Sequence, residues 1–168
     1  MTRSALAAAA VGLAVWTGLA AAALPARVTV DGIAGVVPGQ SPEEVGRRWA
    51  VPIPDNVFAP GCQAVPVLAG AMRGYALFEE GSFGSVFFDR GAVTGRGVRI
   101  GSTLTALKRA YGSRLTSRPN KYTPGARDYF FRRARTPRWE LRFDVSKGGR
   151  VKTIAFGNET VRYVEGCA

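Results

Sequence analysis

The sequence predicts an α+β chain made of two tandem units, each a short capped helix followed by an antiparallel hairpin. Three observations predict it. Residues 97–112 read as strand, glycine corner, capped helix and stop. Shifted back by 62 positions, Gly35, Gly39, Ser41, Val45, Arg47 and Trp49 fall opposite Gly97, Gly101, Thr103, Leu107, Arg109 and Tyr111, with small or polar on small or polar, apolar on apolar and basic on basic. The hairpin pattern over residues 77–88 returns over residues 141–156. The expected boundaries are a leader at 1–26, a first unit at 27–95 and a second unit at 96–168.

The leader has Arg3 as its single charge, then an apolar run rich in alanine, then Ala21-Ala22-Ala23 and Ala26 as small residues for cleavage. That order is a secretory signal peptide, with an uncleaved anchor as the alternative. No cysteine follows the run to accept a lipid, and after cleavage no membrane span is expected.

Residues 27–37 are short and β-capable, delivering the chain to Pro38-Gly39. The first helix starts at Ser41-Pro42-Glu43-Glu44: a hydroxyl at the N-cap, proline where no N–H is needed, and a glutamate whose carboxylate can reach back to the cap amide. Val45 and Trp49 form its buried stripe, and Pro52 and Pro54 stop it. Residues 65–68 read as an edge strand, where Pro66 is tolerated. Residues 75–79 and 83–88 form a hairpin turning at Glu80-Gly81-Ser82, with its phenylalanines in the core.

The second helix runs from Thr103 to Tyr111 with Leu104, Leu107 and Tyr111 inward and Gly112 as its stop. Both helices are short enough to need a sheet to hold them. Residues 113–127 read as a long basic loop, residues 128–133 as a strand, and residues 132–138 as a tight charged link. The next strand alternates: Trp139, Leu141, Phe143 and Val145 on a core face, Glu140, Arg142 and Asp144 on a solvent face. Lys147-Gly148-Gly149 turns the chain into residues 150–156, and residues 160–164 are expected to add a last strand.

Charge divides along the same boundary. Residues 27–95 hold 5 Lys and Arg against 7 Asp and Glu, net −2, whereas residues 96–168 hold 17 against 5, net +12. A field of that sign favours acidic partners, although arginine excess also follows from codon usage and serves solubility. Cys62 and Cys167 are the two cysteines. In an exported chain they predict one disulfide, closing a loop of about 100 residues for about 4.7 kcal/mol in the chain-entropy account; two free thiols are the alternative. With no histidine, no metal site is expected.

Gly39-Gln40-Ser41-Pro42-Glu43-Glu44-Val45 and Gly101-Ser102-Thr103-Leu104-Thr105-Ala106-Leu107, each followed by a hairpin, resemble the family that contains the outer-membrane assembly lipoproteins of the BamE/SmpA type and the secreted β-lactamase inhibitory proteins. The resemblance implies one curved antiparallel sheet with short helices on one face, and a sheet surface that grips a protein. There is one candidate disulfide for the whole chain rather than one per unit, so the inhibitors' contact residues do not carry over.

Chemistry is sparse. There is no histidine, no Gly-x-Ser-x-Gly elbow and no glycine loop followed by Lys-Ser/Thr, and Glu79 and Glu80 point to opposite faces. The expectation is a non-catalytic, extracytoplasmic, monomeric binding module without a cofactor. Its partner is a protein or an anionic envelope polymer, and export disfavours nucleic acid. The candidate contact residues are Tyr129, Arg132, Arg133, Arg135, Arg138, Trp139 and Arg142, because arginines and aromatics dominate interface hot spots. A purely structural secreted domain is the remaining alternative.

Overall fold

A computed structural model describes residues 27–54, 57, 60–69 and 71–167; the leader falls outside the described residues. Seven strands form one antiparallel sheet: β1 (Cys62–Ala69), β2 (Met72–Glu79), β3 (Ser82–Arg90), β4 (Leu115–Pro119), β5 (Arg127–Arg132), β6 (Glu140–Val145) and β7 (Val151–Gly157). Their order across the sheet is β1-β2-β3-β7-β6-β5-β4, so β3 and β7 meet in the middle and β1 and β4 are the edges. Two helices, α1 (Pro42–Trp49) and α2 (Leu104–Tyr111), complete the α+β fold.

Strand alternation gives the sheet two different faces. On one, Phe78, Phe83, Phe88, Phe143, Ile154 and Phe156 are fully buried and meet both helices. Trp49 of α1 lies edge-on to Phe83 with ring centroids 5.5 Å apart and donates its indole N–H to the Ile33 carbonyl at 3.1 Å. Tyr111 of α2 packs on Phe131 and Phe143 at 4.8 and 5.1 Å. Tertiary packing of this kind is what lets eight-residue helices persist.

The hydroxyl caps fall where the sequence puts them: Ser41 accepts from the Glu44 amide at 3.4 Å and Thr103 from the Ala106 amide at 3.1 Å. The reciprocal half of the first cap differs from expectation. The Glu44 carboxylate takes Gln40 and, at 2.7 Å, Arg48 instead of reaching back to Ser41. An i,i+4 charge pair competes well against one backbone amide.

The β2–β3 hairpin turns on Glu80-Gly81, both at positive φ (49° and 71°), a conformation for which glycine carries no side-chain penalty. Residues 27–37, read as β-capable, bury Val28, Ile33 and Val36 through turns and isolated bridges. Three other expectations are corrected. The strand expected at the start of residues 97–112 is a run of turns with isolated bridges at Arg99 and Thr103. Within the supposed basic loop, residues 115–119 are the edge strand β4, paired with β5 from Leu115↔Phe131 to Pro119↔Arg127. Residues 160–164 add no strand; Glu159–Arg162 is a 3-10 turn, capped by Asn158, whose side chain accepts from the Thr160 amide at 3.0 Å.

That turn opens a C-terminal arm, residues 158–167, which lies across the second face of the sheet. Val161 is buried against Leu77, Phe87 and Ala155, and the Thr160 hydroxyl donates to Ser85 at 2.7 Å. The arm ends in the Cys62–Cys167 disulfide, the pairing expected from the sequence, which ties it to β1. Among the described residues no helix is long and apolar enough to cross a membrane.

Candidate functional site

Covering by the arm changes what the charged face of β6 is. Glu140, Arg142 and Asp144 were expected in solvent, yet Glu140 and Arg142 are buried and Asp144 keeps a quarter of its side chain exposed. Burial on this scale requires partners, and each group has them. Arg142 donates from Nε to Asp144 at 2.7 Å, pairs through Nη2 with Asp128 at 3.3 Å, and donates from Nη1 to the carbonyls of Val161 and Tyr163. Arg118 and Asn120 also donate to Asp128, at 3.3 and 2.8 Å. Glu140 accepts from Arg132 at 2.5 Å and from Arg162 of the arm at 2.6 and 2.9 Å.

The two carboxyls of β6 titrate in opposite directions. Burial pushes Glu140 up, but the hydrogen bonds and charges of Arg162 and Arg132 outweigh it and hold the carboxyl below its ordinary range. For Asp144 burial wins over Arg142, and Asp128 across the strand pair adds repulsion, so its carboxyl is raised.

Between the arm and the sheet lies a cavity of about 210 Å³. Its aromatic floor is Tyr75 stacked on Phe87, with centroids 4.9 Å apart and planes 10° from parallel. Tyr163 and Val164 of the arm form one wall. Tyr122 and Asn120 of the β4–β5 loop form another, with Asp144 and Asp89 completing the rim. The arm wall is fixed from behind, since the Tyr163 hydroxyl donates to Glu79 at 2.7 Å and Glu165 accepts from Lys121 at 2.6 Å and from the Tyr122 hydroxyl.

The seven candidate contact residues do not form one surface. Tyr129 is in the core beneath the helices, and Arg142 is buried under the arm; both are corrections, caused by strand parity for the first and by the arm for the second. Arg132 is bound to Glu140, and Arg133 pairs with Asp31 at 3.0 Å while lying over Trp139. Trp139 packs edge-on against Phe156. Arg135 and Arg138 remain exposed, on the β5–β6 link at the opposite end of those strands from the cavity. Sequence reasoning missed Tyr75, Asp89, Tyr122, Asp144 and Tyr163 as neighbours. The available signal was the Glu-x-Arg-x-Asp ladder of β6, an alternation of opposite charges that can close on itself beneath a cover.

These features define an α+β protein with a single antiparallel sheet, helices on one face and a disulfide-tethered arm on the other. No protein-family model matches the chain, and no curated protein matches it. Among solved structures it is similar to the DUF4309-family protein YjgB of Bacillus subtilis, with 15% identity, 71% of this chain and 78% of that one covered, and a TM-score of 0.45. It is also similar to a cysteine-rich secretory protein of Staphylococcus aureus, with 10% identity, 73% of this chain and 44% of that one covered, and a TM-score of 0.42.

Proposed function

We propose that this chain is an exported, non-catalytic binding module that grips a protein partner with the arm face of its sheet. The carrying observation is where apolar surface stays open. Among the described residues the exposed large hydrophobic side chains are Leu68, Tyr75 and Tyr122, at 62%, 39% and 57% exposure. Tyr75 and Tyr122 line the cavity, and Leu68 shares the face of Tyr75 on the neighbouring strand, two register steps from the Pro66↔Tyr75 pair. Exposed aromatics grouped around a concavity mark an interaction site better than scattered arginines do. The leader and the Cys62–Cys167 bond support an oxidising, extracytoplasmic setting. The resemblance of the two capped-helix segments to the inhibitory proteins supports a sheet that grips a protein.

A second reading, attachment to an anionic envelope polymer, is favoured by Arg135 and Arg138, exposed in the half of the chain that carries net +12. One experiment separates the two. The leaderless protein is used to capture partners from culture medium and envelope at low and moderate salt, alongside Tyr75→Ala and an Arg135→Glu/Arg138→Glu variant. Salt-tolerant capture of a protein, lost in Tyr75→Ala and kept in the charge-reversed variant, supports the module. Capture that collapses with salt and with charge reversal overturns it in favour of the polymer.

A further inference from the structure

The cavity beside Tyr75 presents a sign of charge opposite to that of the molecule. Its charged lining groups are Asp89, Asp144 and Arg142. The cation among them is out of reach: the Arg142 side chain is 6% exposed, lies over the Phe87 ring, and directs its donors at Asp128, Asp144 and two arm carbonyls. What a ligand meets is the exposed Asp89 at the rim, the open quarter of Asp144, and the tyrosines. Carboxylates beside aromatic faces attract a cation twice, by charge and by the ring quadrupole.

Size narrows the class. A cavity of about 210 Å³ is below the roughly 300–1,000 Å³ that encloses a drug-sized ligand, and it fits one long side chain. The surroundings narrow it again, because a half-chain of net +12 repels a free polycation or a basic surface. Resting on the reading of the arm face as the gripping surface, we infer that the cavity takes a single lysine or arginine side chain projecting from an otherwise acidic surface of a protein partner. Tyr75, backed by the buried Phe87 ring, would pack on its methylenes, with Asp144 and Asp89 receiving the charged head.

The test uses two peptides, acetyl-Glu-Gly-Lys-Gly-Glu-amide and the same peptide with Nε-acetyl-lysine, titrated into the leaderless, disulfide-intact protein and followed by amide NMR shifts. The expected result is saturable shifts at Tyr75, Asp89 and Asp144 with the free lysine, and binding weakened about tenfold or more by acetylation, the equivalent of about 1.4 kcal/mol. Asp144→Asn and, separately, Asp89→Asn should each remove the preference for the free lysine while leaving the far-ultraviolet circular dichroism unchanged. Having two variants keeps the test open if one fails to fold. Equal binding of both peptides, shifts with methyl glucoside but with neither peptide, or concentration-dependent self-association filling the cavity without peptide would each overturn the inference. The two readings fail separately: partner capture that needs Tyr75 but shows no lysine preference removes only the cation, whereas capture indifferent to Tyr75→Ala removes the arm face itself.

Discussion

Glu140 and Asp144 leave the same side of β6 and are held for opposite ends. Glu140, with its side chain 4% exposed, is clamped between Arg132 and Arg162, and its lowered pKa makes it a contributor to stability. Because the folded value lies below the unfolded one, that contribution is complete above the ordinary carboxylate range and is lost as pH falls through the folded value. Glu140→Gln is therefore expected to cost about 1–3 kcal/mol at neutral pH, toward the low end because both arginines are themselves 39–49% exposed. Melting curves should converge with wild type as the pH falls through the lowered folded value of Glu140. A constant gap at all pH values would contradict the assignment. Asp144 has the opposite sign: its folded value is raised, so its ionised form opposes folding and stability falls as pH rises through that value. Asp144→Asn should leave the neutral-pH melting temperature unchanged or higher, which fits a carboxylate kept for something other than the fold. The sequence made these residues visible as an alternating ladder but assigned them to solvent, since alternation reports two faces and not what covers the second.

At the level of elements, local signals were legible and distant ones were not. Both helix starts, the β2–β3 hairpin and the edge position of β1 follow from residues within a few positions of one another, as caps, turns and period-2 patterns do. Strand β4 carries Arg118 and Pro119 and little apolar surface, so its order comes from pairing with β5 rather than from its own composition. The arm is harder still to read, because its 3-10 turn is fixed by groups far away in sequence: Arg142, Glu140 and Ser85. Close approach at Gly84 makes the arm testable. A Cβ there would stand 2.7 Å from the Thr160 hydroxyl and 3.0 Å from its methyl group. Gly84→Ala should push Thr160 off Ser85 at a cost of about 1–3 kcal/mol. Hydrogen exchange should then quicken at the Val161 and Tyr163 amides, which bond within the turn, while the β6–β7 amides stay protected. Unchanged exchange in the arm would mean that it does not depend on this contact.

Across the whole molecule, the disulfide is the one covalent link between β1, an edge strand of the sheet, and the arm, which lies over β2, β3, β7 and β6. Helices and sheet bury the larger core without it, and the arm is additionally held by Arg142, Glu140 and Tyr163. Removing the bond should thus loosen the arm while the sheet remains folded. Closing 105 residues is worth about 4–5 kcal/mol in the chain-entropy account, and native disulfides typically deliver about 2–4 kcal/mol. For Cys62→Ser/Cys167→Ser, the expected outcome is a denaturation midpoint lowered to match that loss, at nearly unchanged circular dichroism. The lysine-peptide affinity should fall with it, because Tyr163 and Val164 form a wall of the cavity and their geometry relies on the anchored end. Adding reductant should shift the wild-type midpoint to that of the double variant and leave the double variant where it is. A wild-type midpoint insensitive to complete reduction, verified by counting two titratable thiols after unfolding, would show that the noncovalent contacts of the arm suffice and that the disulfide constrains neither the fold nor the cavity.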